Sequence, residues 1–375
     1  MTAVRRRAPV AELVHVSAGL REDGGGAAHF GRTLGCALRR FASRRGLAFR
    51  GLHLPASDGH PALDGYTSCG GGRGRFALAL AAMQSAGAGA RLLFFDHPGP
   101  ARVQGWLPGC ARSRYLVAAL GIDVWRPFSR AQLRALRGAS SVLAISDATI
   151  ERARPFLPAG CRIDRVHPGI EPRHPGGEPD RRLLEELGEG FVLVVGRLAG
   201  RERYKGHDEL LEALPEVARR FASVRLVIAG DGPDAPRLEQ KARATGAADR
   251  VRFTGGVDGA TLEALYHRCA LFAMPSRLEG FGLVFVEAMA AGKACVALAG
   301  TAPAEIVVDG ETGRLVPDGD PAALAAALVE LLADPERARR LGEAGRARYE
   351  REFTFAAFER RLEPVLARLV EPGAD

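Results

Sequence analysis

Phe191-Val192-Leu193-Val194-Val195-Gly196-Arg197 decides how this chain folds. The apolar run reads as a strand, and it breaks at a glycine followed by a cation, where an α/β sheet hands the chain to a loop. Toward the C-terminus the pattern alternates. Helix Asp208 to Phe221 leads to strand Arg225 to Ala229, helix Ala235 to Thr245, strand Val251 to Thr254, helix Gly259 to Arg268 and strand Ala270 to Met274. Helix Leu283 to Ala291, strand Ala294 to Ala297, a strand near Gly313 to Val316 and helices from Pro321 complete it. Strands separated by helices of roughly 10 to 15 residues predict a parallel sheet. Toward the N-terminus, Val10 to Val16 reads as a strand and Asp23-Gly24-Gly25-Gly26 as a glycine turn. Phe30, Leu34, Ala37, Leu38 and Phe41 then recur at helical spacing, and Ala48 to Leu54, Arg91 to Phe95, Tyr115 to Ala119 and Val142 to Ile145 are further strands. Between the halves, Pro168 to Asp180 is broken by proline and glycine, which remove donors and loosen the backbone. The fold class is therefore α/β with two Rossmann-like domains, over residues 1–172 and 188–352, joined by a linker at 173–187.

The 375 residues exceed what a single core usually organises, which agrees with two domains. No stretch approaches the roughly 20 uninterrupted apolar residues that span a bilayer. Arg5, Arg6 and Arg7 are followed by Glu12 and His15 rather than a small-residue cleavage site, so a secretory leader is not expected. Six cysteines stand singly with no Cys-x-x-Cys pair, which argues against a metal site or a disulfide framework and fits a reducing cytoplasm. A net charge of +8 and a pI near 9.6 point to an anionic partner. Nucleic acid is disfavoured, because no basic stretch is interleaved with stacking rings.

The segment Glu279-Gly280-Phe281-Gly282-Leu283-Val284-Phe285-Val286-Glu287 carries the chemistry. A carboxylate in a loop precedes two glycines and a helix start, whose unpaired N–H groups and positive dipole cradle phosphate. Glu287, about one turn into the helix, is suited to accept hydrogen bonds from the vicinal hydroxyls of a ribose, and Glu279 to reach a sugar beyond the phosphates. Alone, such a segment reads equally well as a turn with a loop charge and an exposed helical glutamate. Upstream, Gly196-Arg197 and Tyr204-Lys205-Gly206-His207-Asp208 supply two cations at the carboxyl edge of the sheet. Arginine forks onto phosphate oxygens and lysine adds a mobile point charge, although a lone pair of this kind would more often be solvated.

Together these stretches resemble the family-4 retaining glycosyltransferases of the GT-B fold. Further matches are Ile228-Ala229-Gly230-Asp231-Gly232-Pro233, Val251-Arg252-Phe253-Thr254-Gly255, Met274-Pro275-Ser276, and Glu305-Ile306-Val307 leading to Gly310-Glu311-Thr312-Gly313. The resemblance is strong over roughly residues 190 to 350. It is looser in the N-terminal half, through Gly24 to Gly26, Ala144-Ile145-Ser146 and Val166-His167-Pro168-Gly169-Ile170. It implies two domains facing each other across a deep cleft, with helix 353–372 returning to complete the first. It also implies that Gly24, Gly25 and Gly26 lie against a donor diphosphate bound by Arg197, Lys205 and the backbone of Gly196, Gly280, Phe281, Gly282, Leu283 and Val284. Glu287 would hold the ribose and Glu279 the transferred sugar, with no metal and no cofactor beyond the nucleotide sugar. One departure stands out. Many relatives carry a histidine in a His-Gly-x-Asp/Glu context where this chain has Leu120-Gly121-Ile122-Asp123. Leucine cannot hydrogen-bond, so His97, in Asp96-His97-Pro98-Gly99, becomes the candidate to read the sugar; contact with its own turn is the plainer role.

The expected activity is metal-independent transfer of a hexosyl, deoxyhexosyl or pentosyl group from a nucleoside diphosphate to an acceptor hydroxyl, with retention, in polysaccharide, glycolipid or natural-product glycosylation. A non-catalytic or impaired sugar-nucleotide-binding protein, or an epimerase of the same fold, is the alternative. The acceptor is not readable, since the loop Asp58 to Arg75 carries no pattern. Arg39, Arg40, Arg44 and Arg45 on the first helix suit either a solvated face or peripheral contact with anionic lipid at the inner face of a membrane.

Overall fold

The computed structural model describes residues 13–17, 19–20, 25–54, 65–69, 74–87, 90–108, 113–170 and 177–370. Two compact units divide the chain: residues 1–169 with 355–375, and residues 170–354.

The first unit runs β1 (Leu13–Ser17), α1 (Gly25–Arg44), β2 (Phe49–His53), β3 (Tyr66–Ser68), α2 (Gly74–Gly87), β4 (Leu92–Phe95), α3 (Pro98–Ala101), β5 (Arg114–Ala119), α4 (Arg130–Gly138), β6 (Ser141–Ala144), α5 (Asp147–Ala153) and β7 (Ile163–Arg165). Its seven strands are parallel in the order β3-β2-β1-β4-β5-β6-β7. Leu13 of β1 is level with Phe49 of β2 on one side and Leu92 of β4 on the other. Strand β4 is apolar throughout, and β1, β4 and β6 are buried along their whole length, as a sheet covered on both faces requires. Strands β3 and β7, three residues each, were not visible in the sequence. Tyr66 explains β3: a Cβ on Gly35 or Gly51 would fall 2.0 or 2.2 Å from the tyrosine side chain, so two bare glycines make room for it.

The second unit runs α6 (Arg181–Leu187), β8 (Val192–Val195), α7 (His207–Arg220), β9 (Leu226–Ala229), α8 (Ala235–Ala244), β10 (Val251–Gly255), α9 (Gly259–Arg268), β11 (Leu271–Ala273), α10 (Leu283–Ala290), β12 (Cys295–Leu298), β13 (Gly313–Val316), α11 (Pro321–Ala333) and α12 (Pro335–Arg348). Its six strands are parallel in the order β10-β9-β8-β11-β12-β13. Helix α6 corrects the expected linker at 173–187. Asp180 caps it by accepting from the Leu183 N–H at 3.0 Å, and Leu184 and Leu187 are buried. An N-cap and two inward leucines sufficed for a helix directly after the proline-rich stretch.

The last helix, α13 (Phe355–Val370), belongs to the first unit and lies against α1. Phe358 meets Phe30 edge to face at 6.0 Å. Glu359 and Glu363 face the basic side of α1: Arg44 reaches both, at 3.1 and 2.9 Å, Arg45 reaches Glu363 at 3.0 Å and Arg40 reaches Glu359 at 3.5 Å. Three of the four arginines expected to be solvated or turned to lipid are thus matched by acidic groups of the chain's own last helix. Among the described residues no helix is long and apolar enough to cross a membrane.

Candidate active site

In the second unit the strand order reverses between β8 and β11, and ligands of doubly wound sheets bind at the carboxyl ends of such strands. The loop after β8 carries Arg197 and Lys205; the loop after β11 carries Ser276 and Glu279. Two glycines let the β8 loop take its course. A Cβ on Gly230 would sit 1.9 Å from the Gly196 carbonyl oxygen, and one on Gly232 2.2 Å from that of Leu198. The loop is then tied down by Gly196 N–H donating to Ala229 O at 3.0 Å and Leu198 N–H to Asp231 O at 2.9 Å. Gly206, at φ +86°, turns the chain into α7; a Cβ there would lie 2.6 Å from Pro275 O. Lys205 is thereby held close to the β11 loop.

The charged groups converge. Lys205 Nζ lies 3.4 Å from Glu279 Oε1, which also accepts from Ser276 Oγ at 3.4 Å. On its other side Lys205 Nζ is 3.8 Å from Glu202 Oε2, and Arg197 Nη2 donates to Glu202 Oε1 at 2.6 Å. Glu202 was not singled out from the sequence, where Arg201 and Arg203 flank it as ordinary surface charges. The guanidinium of Arg197 is half exposed and reaches outward, whereas Lys205 is largely covered.

The helix start lies next in the chain. Gly282, at φ +105°, precedes α10, and no side chain caps that end. Phe281 turns its ring inward against Phe353, 5.9 Å between centroids, so only its backbone is offered to a ligand. Helix α10 is buried on nearly all sides by Phe285, Val286, Ala288 and Met289, which fixes its tip. Glu287 is almost buried, and Tyr266 of α9 donates to its Oε2 at 2.9 Å. Tyr266, legible only as part of a helix, orients the carboxylate expected to hold a ribose. Among the described residues no group of three or more His, Cys, Asp or Glu side chains is gathered for a metal ion.

In the first unit the reversal falls between β1 and β4. Ser17 donates to Asp96, both buried, at the ends of these strands. Gly24 lies outside the described residues. Gly25, at φ +68°, opens α1, and a Cβ on Gly26 would meet nothing within 4 Å, so the space over it is open. His97 caps α3: its Nδ1 accepts from Gly99 N–H at 2.8 Å, which leaves the proton on Nε2, 3.8 Å from Asp123 Oδ2. Burial pushes the Asp123 carboxyl up to about 7 and holds the His97 imidazole below its usual range. The expected contact with its own turn is present, together with an Asp123 neighbour the sequence reading did not pair with it. Beside His97 a cavity of about 620 Å³ is lined by Arg102, Arg126 and Gln132 over apolar Leu78 and Val103, with the exposed ring of Trp106 at its rim.

Two parallel doubly wound sheets, with a cation pair and a bare helix tip at one switch point, define an α/β protein of the GT-B class. Residues 178–348 match the model of the family described as glycosyl transferases group 1. The chain is 35% identical over 272 residues to a GDP-mannose-dependent alpha-(1-6)-phosphatidylinositol monomannoside mannosyltransferase of Mycolicibacterium smegmatis, covering 68% of this chain and 70% of that protein. It is 33% identical over 221 residues to an alpha-D-kanosaminyltransferase of Streptomyces kanamyceticus, covering 57% of this chain and 56% of that one. Its fold resembles that of sucrose-phosphate synthase from Thermosynechococcus elongatus, with a TM-score of 0.76 at 23% identity over 96% of this chain and 99% of that structure. The chain belongs to the glycosyl transferases group 1 family. It is a glycosyltransferase and takes its sugar from a nucleotide-sugar donor.

Proposed function

We propose that the donor's diphosphate is bound by Arg197, Lys205 and the backbone from Gly280 to Val284, with Gly196 giving close approach, Glu287 taking the ribose and Glu279 the transferred sugar. The observation that carries this is the approach of Lys205 to Glu279 at 3.4 Å, which joins the β8 and β11 loops beside a helix start that no side chain caps. As the glycosidic bond breaks, charge grows on the leaving diphosphate, and fixed cations and amides stabilise it without waiting for solvent to reorganise. Transfer then proceeds with retention, without a metal or further cofactor, and the leaving phosphate accepts the acceptor's proton. Gly25 and Gly26, the latter with open space above it, are read as a further approach to the donor.

His97 is read as the group that meets the donor sugar where Leu120 cannot. The cavity beside it suits an acceptor with an anionic group next to an apolar or ring face, because two arginines stand over apolar walls. A guanosine diphosphate sugar heads the donors to be tested, since the M. smegmatis relative is named for GDP-mannose. That relative is also named for a phosphatidylinositol monomannoside, which keeps peripheral contact with anionic lipid in the reading. The ion pairs of Arg40, Arg44 and Arg45 with α13 make α1 a poor carrier of it, and flotation with anionic vesicles tests it directly.

The first experiment is a thermal-shift screen of GDP, UDP, ADP and their sugar conjugates, followed by transfer assays with whichever donor stabilises the protein. A raised midpoint with one diphosphate, lost in Lys205→Ala, is expected. The site assignment fails if that variant responds to the same diphosphate as the parent does.

A further inference from the structure

Glu202 sits between the two cations assigned to the donor diphosphate, and its side chain is only 6% exposed. One oxygen accepts from Arg197 at 2.6 Å; the other stands 3.8 Å from the Lys205 ammonium and has no hydrogen bond. The backbone at Glu202, with φ −113° and ψ 26°, breaks the helical turns of residues 200–205, and that break turns this side chain inward while Arg201 remains exposed. With Glu279 on the far side of Lys205, two carboxylates already match two cations. A site that only had to attract a diphosphate would gain nothing from a buried carboxylate this close, because it repels the ligand through a poorly screened medium.

We propose that Glu202 is the internal counter-anion of the donor site. It holds Arg197 and Lys205 in position before the donor binds, and it weakens the hold on the nucleoside diphosphate left after transfer. The proposal rests on the donor-site reading above. A diphosphate bonded to a sugar has no terminal ionisation, whereas the free product gains roughly one further negative charge near neutral pH. A fixed carboxylate beside the phosphates therefore penalises product more than donor, and shifts the balance toward release. Glu202 acts through the two cations and makes no contact with the reacting atoms, so it is a positioning residue.

The test is calorimetric titration of the purified full chain with GDP, UDP, GDP-mannose and UDP-glucose, in the parent, Glu202→Gln and Lys205→Ala proteins. Glutamine keeps an oxygen for Arg197 and removes only the charge. Glu202→Gln is expected to bind the free diphosphate about fivefold to tenfold more tightly, and the intact sugar nucleotide with a smaller gain. In steady state kcat and KM are expected to fall together, a pattern that loss of a merely structural ion pair would not give. Unchanged or weaker diphosphate binding by folded Glu202→Gln overturns the proposal. If that variant does not fold, Glu202→Asp draws the charge back by one methylene and carries the same test with a gain of about twofold to threefold; unchanged or weaker binding again overturns it. Lys205→Ala separates the two ideas. Undiminished diphosphate affinity there defeats the donor-site reading itself, whereas its loss beside an unaltered Glu202→Gln defeats only the counter-anion.

Discussion

The two sheets reverse strand order at corresponding places, β1 beside β4 in one unit and β8 beside β11 in the other, yet the side chains set there have opposite characters. At the β8/β11 edge two cations and two carboxylates alternate in a row, Arg197, Glu202, Lys205 and Glu279, with each neighbouring pair within 4 Å. At the β1/β4 edge a hydroxyl bonded to a carboxylate and a histidine capping its own turn occupy the same topological position. Repetition of the fold supplied two crevices, and the loops decided which of them gathers paired charges. The difference also has a physical cost attached. Buried charges must be paired, and in the second unit the pairing continues behind the site. Arg237 bonds Asp208 at 2.7 Å and Asp234 at 2.7 Å, and Lys241 bonds Asp208 at 2.8 Å, which holds the Asp208 carboxyl down at about 2.

The sharpest way to break this comparison is Lys205→Ala. If the second unit's cations stabilise the leaving group, kcat is expected to fall about 100-fold or more, with weaker donor binding. Steady-state kinetics that show a change in KM alone would leave Lys205 a binding group only. If His97 meets the sugar rather than the developing charge, His97→Asn, which keeps a side-chain acceptor for the Gly99 N–H, is expected to lower turnover by the smaller factor of about tenfold. Loss of activity as large as that of Lys205→Ala would erase the ranking of the two edges.

Tyr266→Phe removes the hydrogen bond to Glu287 and leaves the ring in place. A rise in KM for the donor of about fivefold at little-changed kcat is expected, in line with ~1 kcal/mol for one hydrogen bond. An unaltered KM would mean that Glu287 is oriented by other contacts.

Each unit also carries a buried histidine held neutral. Burial holds His15 of the first unit at about 3 and His207 of the second at about 4. Both pKa values lie below that of an unfolded histidine, so only the unfolded chain takes up these protons as pH falls below about 6.5. Stability is therefore fully present above that pH and is lost by up to about 1.4 kcal/mol per pH unit for each histidine on the way down to pH 4. Urea unfolding from pH 7 to pH 4.5 measures it, and His207→Gln is expected to flatten the curve. A parent curve that is already flat would remove the burial argument. The smallest effect is expected from Leu120→His, assayed across ordinary and deoxy donors. A gain of about twofold to threefold confined to donors bearing the extra hydroxyl is expected, as one added hydrogen bond allows. Strong activity with an ordinary hexose donor that the substitution leaves unchanged would show that Leu120 does not restrict the donor.

Much of this was written in the chain order. The apolar runs at 191–195, 226–229 and 92–95 and the helical spacing of Phe30, Leu34 and Phe41 were legible because strand and helix periods differ. Arg197, Lys205, Gly282 and Glu287 were legible as candidates because loop cations after a strand and a glycine-led helix start are each read from a short local motif. Short edge strands such as β3 and β7 were not, since three residues carry no period and pair only because a neighbour offers an edge.

The sequence by itself determined two α/β halves, their parallel sheets and the loops that bear the cations, because those follow from local periodicity and turn chemistry. Tertiary structure alone decided which carboxylates face which cations. Glu202 stands among exposed arginines in the sequence and becomes the buried partner of Arg197 and Lys205 only when the loop folds; Tyr266 meets Glu287 only across two helices; Glu359 and Glu363 find the arginines of α1 more than 300 positions away. Pairing of charges depends on distance and burial in three dimensions, and neither is encoded by spacing along the chain.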